Sequence, residues 1–454
     1  MRPTRMIKPI LAPILFLVFF PSWAMGAEEY KFEASETEKK PYHLGGFAEV
    51  RPVLNVLDKS AALYKTNFYN YNVGATTPEY NSRLQLEGSY EDKLADGGTV
   101  RYFFRANEDL NNTYQGWYSN GRLYEGFMSF KPTDSYHIDI GKRTFKWGKG
   151  YAWNPVAFID RPKDPNDPDQ ALEGFWTISG DYTKSFSGPL KTLSFTPVFL
   201  PVINPMNTDY AQSPANPNQA PSNIPSNPNM AAKLYLLLYD TDIDFIYSSG
   251  GSKTTRYGMD FSRNISTNLE IHGELAFIED FSKRVVSSNG IVSNQDYDAW
   301  SYLLGIRYLT EKSTTYLLEY FFNGLGYTGS QMDDFYSFVN KGYNLFLRTG
   351  DTSQINKAAN LAQGGYGRNT PQREYLYLRI SQLEPFDILY FTPAVTTIMN
   401  VKDRSFTVTP ELLYIGITNW EFRLKTFFIV GGGNTEFGEK PNDFKAEFRV
   451  RYFF

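Results

Sequence analysis

The chain has 454 residues, a formal net charge of −4, no cysteine and a mean hydropathy of −0.41, yet 33 Tyr and 36 Phe help raise its aromatic content to 17%. The absence of cysteine excludes disulfides, thiolate metal sites and covalently attached c-type haem, and the mild acidity argues against nucleic acid as a partner. A polar average with so many aromatics fits a membrane barrel, whose aromatic girdles surround a polar interior, better than a soluble domain of this length.

Residues 1–27 begin with Arg2, Arg5 and Lys8, continue through an apolar run from Pro9 to Phe20, and end in the small-residue stretch Pro21 to Ala27. This pattern predicts a cleaved secretory signal peptide. The apolar run is shorter than the roughly 20 residues a spanning helix needs. Cleavage would remove three basic residues and take the net charge to about −7. Residues 28–41 then form a short periplasmic segment, and no linker or repeat divides residues 42–454. No later apolar run is long enough for a transmembrane helix, so a membrane-spanning chain must be a closed barrel, the other structure that satisfies every backbone polar group in lipid.

Alternating apolar and polar residues mark the strands in chain order. The first seven are expected at Tyr42 to Leu57, Ser82 to Tyr90, Thr99 to Ala106, Leu123 to Phe130, Tyr136 to Phe145, Ala171 to Phe186 and Leu190 to Val202. Pro201 to Met230 is a low-complexity loop with repeated Asn-Pro. Lys233 to Leu238 and Ile243 to Tyr247 follow, then Arg256 to Arg263 and Leu269 to Ile278 across a tight turn, and a long loop from Glu279 to Asp298. Trp300 to Leu309 and Thr314 to Phe322 precede a long loop from Asn323 to Gln372. The last strands are Arg373 to Leu383, Ile388 to Ile398, Phe406 to Ile417, Glu421 to Val430 and Phe444 to Phe454.

Long and short connections alternate, as they do between the external loops and periplasmic turns of a barrel. The prediction is an all-β fold, a single antiparallel up-and-down transmembrane barrel of about 18 strands. The count falls to 16 if the stretch around Lys233 to Leu238 is instead a helix in a loop. Pro197, Pro393 and Pro410 fall inside strands, where each deletes a ladder hydrogen bond, so bulges or rim positions are expected there.

On the last strand Phe444, Ala446, Phe448, Val450, Tyr452 and Phe454 share one face, while Lys445, Glu447, Arg449 and Arg451 share the other. With the leader, the strand series and the terminal aromatic, the chain resembles single-chain Gram-negative outer-membrane barrels of the porin type. That resemblance implies the cell outer membrane as location, with lipid, lipopolysaccharide and the barrel-assembly machinery as partners. It also implies that Phe454 is an assembly signal, and it leaves a homo-oligomer open. The stretch Gly141 to Pro162 further resembles the "WG…NP" strand-plus-loop of alginate-export-like and related specific porins.

The inner face of the fifth strand carries His137, Asp139 and Arg143, and that of Leu269 to Ile278 carries Glu270, His272 and Glu274. The loop Trp147 to Gln170, the third long one, is rich in Pro and Asp and carries four large aromatics. With Lys146 before it, it bears Lys149, Asp160, Arg161, Lys163 and Asp164, and an inward fold would make it a constriction. These residues are the candidate pore lining of a channel for small hydrophilic solutes, or for a specific anionic or sugar-like substrate. No cofactor or metal is expected. Two alternatives are a barrel that encloses a partner protein, such as an electron carrier, and an outer-membrane hydrolase. The hydrolase has few options, because only His43, His137 and His272 are available and neither grouping on a shared face has an evident serine.

Deleting Phe454 is expected to lower the amount of folded barrel in the outer membrane without affecting export across the inner membrane, as measured by heat-modifiable migration of the membrane fraction. Unchanged assembly would leave Phe454 only its place in the strand.

Overall fold

The computed structural model describes residues 40–95, 97–203, 205–211 and 227–454. The signal peptide expected at residues 1–27, and nearly all of the segment expected at 28–41, lie outside the described residues. The described chain forms one antiparallel sheet of eighteen strands. The first nine are β1 Tyr42–Leu57, β2 Thr76–Lys93, β3 Thr99–Thr113, β4 Gly116–Thr133, β5 Tyr136–Arg143, β6 Phe175–Ser185, β7 Leu190–Leu200, β8 Asn229–Leu238 and β9 Thr241–Gly250. The others are β10 Arg256–Ser266, β11 Leu269–Val286, β12 Val292–Leu309, β13 Thr314–Phe322, β14 Glu374–Gln382, β15 Phe391–Asn400, β16 Phe406–Tyr414, β17 Trp420–Val430 and β18 Asn442–Phe453. Each strand pairs with the next, and β18 pairs with β1, so the sheet closes into a barrel. The stretch around Lys233 to Leu238 is strand β8, which decides for eighteen strands over sixteen. Phe454 adds to the closure, exchanging backbone hydrogen bonds of 3.0 and 3.1 Å with Gly46.

The two faces of the wall are inverted relative to a soluble protein. On β12, Trp300, Leu304, Ile306 and Tyr308 are exposed on the outside while Ser301 and Leu303 are buried inside. On β18, Phe448 is 42% exposed, whereas Glu447 and Arg449 are 6% and 5% exposed in the lumen. An exposed apolar belt around a buried charged interior is the pattern of a barrel in lipid. No described helix is long and apolar enough to cross a membrane.

Several strands run beyond their predicted ends. β3 and β4 continue to a two-residue turn at Tyr114–Gln115, and β11 and β12 to a turn at residues 287–291, so the expected long loop at Glu279 to Asp298 is mostly a tall hairpin. The alternation there is broken by a register shift between Ile278 and Phe281, with Asp280 at φ 48°, and then resumes. Pro197 and Pro410 produce no bulge. Each keeps one neighbouring strand in register, and on the other side the ladder skips the positions opposite it without shifting. Pro393 lies one residue outside the β14 pairing, near the rim.

Residues 323–373 are not a plain loop, because they contain the helices Gly329–Thr349 and Ser353–Leu361. The first helix opens on a capping box in which Gln331 N–H donates to Thr328 Oγ1 at 3.2 Å and Thr328 N–H donates to Gln331 Oε1 at 3.0 Å. It ends at Gly350, whose φ of 74° and 2.8 Å bond to the Phe346 carbonyl close the helix. Its apolar stripe, Met332, Phe335, Tyr336 and Val339, packs with Ile355, Ala358 and Tyr366, with Ala62 and Leu63 of the short helix Ala62–Phe68, and with Val285 and Val286 atop β11. Tyr366 stacks between Phe335 and Tyr327, at ring separations of 4.3 and 3.9 Å. The result is a small helical core above one side of the barrel mouth.

Phe335→Ala should cost this core about 3–5 kcal/mol. The expected outcome is protease cleavage within residues 323–373 in detergent while heat-modifiable migration of the barrel is retained.

Candidate functional site

β5 is short, and the chain leaves it at Arg143 to enter the segment 144–174 before β6. Lys146 and Gly148 take left-handed conformations at φ 55° and 98°, which turn the chain away from the wall. Asp160 ties the base of the segment, accepting from the backbone N–H of Phe145 at 2.8 Å and of Trp147 at 3.1 Å. Burial raises the pKa of that carboxyl, and these two donors oppose the shift.

Irregular backbone enclosed by a barrel has unpaired N–H groups that need acceptors. Two wall carboxylates supply them. Glu274 on β11 accepts from the backbone of Lys149 and Gly150, both at 2.6 Å, from Val156 at 3.3 Å and from the Asn154 amide at 3.0 Å. Glu319 on β13 accepts from Tyr151 at 2.5 Å and Ala152 at 2.9 Å, and its Oε1 lies 3.0 Å from His272 Nε2. Apolar packing completes the hold. Trp153 stacks on Phe321 at 5.1 Å and meets Tyr375 at 5.8 Å, while Trp147, Val156, Phe158 and Ile159 pack against the inner faces of β6, β7, β9 and β11.

The segment also reaches the opposite wall. Asp167 meets Arg449 on β18 at 2.8 Å and Lys425 on β17 at 3.2 Å. Burial alone would raise its pKa, but these cations hold it below the usual carboxylate range. Lys149 lies 2.9 Å from Asp244 and 3.7 Å from Asp260 on β9 and β10. Residues 144–174 therefore cross the lumen, fixed at both sides.

The sequence candidates fall into four places. Lys146, Asp160, Arg161 and Lys163 border a cavity of about 530 Å³ between the segment and β1–β3, β17 and β18. Glu270, His272 and Lys149 border a second of about 380 Å³ toward β12–β14, with Lys163 shared. Asp164 turns toward residues 323–373, where it accepts from the Asn369 amide at 2.8 Å. His137, Asp139 and Arg143 lie together on β5, with Arg143 ion-paired to Asp139.

A serine does stand beside His137, contrary to expectation. Ser129 Oγ lies 2.6 Å from His137 Nε2, but Asp139 Oδ1 lies 2.7 Å from the same nitrogen. A serine–base–carboxylate relay needs the two partners on opposite ring nitrogens. No group of three or more His, Asp or Glu among the described residues is arranged to hold a metal ion.

Sequence reading missed Glu319, the second anchor of the segment, although it is the lone charge in the apolar strand Thr314–Phe322. It also missed the cations of the larger cavity, Arg51, Arg83 and Arg105 on β1–β3 and Arg423, Arg449 and Arg451 on β17 and β18. With Lys146, Arg161 and Lys163 they make nine basic residues against four acidic ones, Glu49, Asp160, Asp167 and Asp169. Most are paired, as Arg83 is with Asp109 at 2.6 Å and Arg451 with Glu49 at 2.6 Å. Arg51, Lys146 and Lys163 have no ion pair among the described residues, and Lys163 donates to the carbonyls of Gly150 and Tyr151 at 2.8 and 3.2 Å.

The chain matches no protein-family model and no curated protein. Among solved structures it resembles Pseudomonas aeruginosa OccK11 (OpdR), at 11% identity over 90% of this chain and 95% of that one, with a TM-score of 0.51. A triple mutant of the Rhodopseudomonas blastica porin is 11% identical over 91% of this chain and all of that one, with a TM-score of 0.44. Salmonella typhi OmpF in complex with daunomycin is 10% identical over 91% of this chain and 97% of that one, with a TM-score of 0.45. The fold is a porin-type β-barrel. The finer resemblance of Gly141 to Pro162 to alginate-export-like porins rests on those residues alone.

Replacing Glu274 and Glu319 together by Ala would leave five backbone N–H groups without an acceptor, at about 1–3 kcal/mol each. Hydrogen exchange of Lys149 to Ala152 and of Val156 should accelerate at least about tenfold, with the barrel strands still protected. Unchanged exchange would show that the wall carboxylates do not hold the segment.

Proposed function

We propose that this barrel is an outer-membrane channel for small hydrophilic solutes, with preference for anions. The observation that carries the reading is the set of nine cations around the larger cavity, of which Arg51, Lys146 and Lys163 make no ion pair among the described residues. A ring of like charge in a narrow polar passage sets ion selectivity, because each charge acts there through less water than it would at an open surface. In this reading the lumen-crossing segment is the constriction, and Lys146, Arg161 and Lys163 face the solute path with the arginines of β1–β3, β17 and β18. The rim with the long connections is external, and both chain ends face the periplasm.

The sizes of the cavities favour a solute over an enclosed protein. The chain's own segment already occupies the middle of the lumen, and the spaces beside it, about 530 and 380 Å³, suit small molecules. The arrangement at His137, with both partners on one nitrogen, favours a wall contact over a hydrolytic centre.

Reversal potentials across planar bilayers in a salt gradient test the reading. The unaltered channel should prefer chloride to potassium. The pair Arg51→Glu and Lys146→Glu should shift the preference toward cations, and deletion of Asp160 to Asp169 should raise single-channel conductance. Cation preference in the unaltered channel, or no response to either change in a folded barrel, would overturn the assignment.

A further inference from the structure

The rim with the short turns is not uniform. Its connections at 134–135, 267–268 and 310–313 are made of Asp, Ser, Thr, Asn, Glu and Lys. The connection Leu383 to Tyr390, between β14 and β15, instead displays Leu383, Phe386, Ile388, Leu389 and Tyr390, with Phe386 91% exposed. Ile415 and Ile417 in the next turn are exposed as well, and Ile415 N–H donates to the Tyr390 carbonyl at 3.1 Å, which joins the two turns into one apolar patch.

This patch is built. Leu383 N–H bonds the Ser313 carbonyl at 3.1 Å, Glu384 N–H bonds the Phe391 carbonyl at 2.9 Å, and Tyr390 N–H bonds Glu384 Oε1 at 2.9 Å. Between these ties Phe386 and Asp387 both take φ 60°, in the left-handed region that residues with a Cβ avoid. A water-exposed turn of this length would ordinarily put Gly, Asn or Asp at such positions. Here a phenylalanine occupies one of them.

The patch is continuous with the lipid-facing belt. Phe391 pairs with Tyr414 and Pro393 with Leu412 across β15 and β16, and Val395, Leu412 and Trp420 are exposed on the outer wall beside it. Apolar side chains that extend an apolar belt, bordered by Tyr390 and Trp420, match the boundary between acyl chains and head groups, where aromatic residues concentrate. We propose that Leu383 to Tyr390, with Ile415 and Ile417, is a lipid-inserted wedge. It seats Phe386, Ile388 and Leu389 among the outer ends of phospholipid acyl chains and keeps Glu384 and Asp387 at the water side. The wedge fixes the depth of the barrel along one arc of its rim.

The chain has no cysteine, so single cysteines can be placed without background. Phe386→Cys and Leu389→Cys, each labelled with an environment-sensitive fluorophore, would be reconstituted into phosphatidylcholine vesicles, with Asp134→Cys on a polar turn as the aqueous reference. Heat-modifiable migration confirms folding first, and Ile388→Cys replaces a variant that fails. The expected result is blue-shifted emission at 386 and 389, quenched by a nitroxide carried high on the lipid acyl chain and protected from soluble iodide. Iodide quenching at both positions equal to that at 134 would overturn the wedge. Labels that are water-exposed in vesicles and protected only in native membranes would overturn it too, and would identify the patch as a docking face for another protein.

Discussion

Everything in this structure follows from the need of each backbone N–H and C=O for a partner where water is absent. In hydrocarbon that requirement forces closure, which β18 meets by pairing with β1 and Phe454 extends by bonding Gly46. Closure fixes the period-two inversion of the wall, with Trp300 and Phe448 outside and Glu447 and Arg449 inside. The same requirement then reappears in the lumen. A segment without regular structure, such as 144–174, cannot cross it unless something else accepts its N–H groups, and the inward face of the strands is the one surface placed to do so. Glu274 and Glu319 are therefore as much a consequence of backbone chemistry as the ladders are.

The charges of the lumen divide into those that hold the fold and those left over. Asp167 with Arg449 and Lys425, Arg83 with Asp109, and Arg451 with Glu49 neutralise one another at 2.6 to 3.2 Å. A partly buried charge without a partner is costly, so such pairing is expected wherever water is scarce. Arg51, Lys146 and Lys163 make no ion pair beside the larger cavity. Cations without an ion pair are tolerable where water reaches them.

The strands were legible because their signal is local. Period-two alternation marks most of the eighteen, although β8 carries the unalternating run Leu236 to Leu238 and β11 breaks between Ile278 and Phe281, and the tight turns at Asp240 and Asn419 sit where the pattern ends. Strand ends were less legible, since β3, β4, β11 and β12 continue above the belt on mixed sequence in which neither face is uniformly apolar. The helix Gly329–Thr349 carried a readable start, Thr328 followed by Gln331, but it lies in a stretch that loop length alone had classified. The anchors of the lumen segment were beyond local reading. Glu274 and Glu319 lie 125 and 168 positions from the amides of Lys149 and Tyr151 they bind. Glu319 announced itself only as an isolated carboxylate in an apolar strand, a signal that gains meaning once the strand is known to be part of a wall.

The magnitudes indicate how rigid the constriction is. Five backbone bonds to charged acceptors contribute roughly 10 kcal/mol, a figure that already includes the water each group gives up. Lifting the segment off would take the donors from Glu274, leave Glu319 with His272 alone, and leave five of the segment's amides without their acceptors. Trp153, stacked on Phe321, and Asp167, held by Arg449, resist movement at other points of the lumen. A segment held in this way stays across the lumen at both walls.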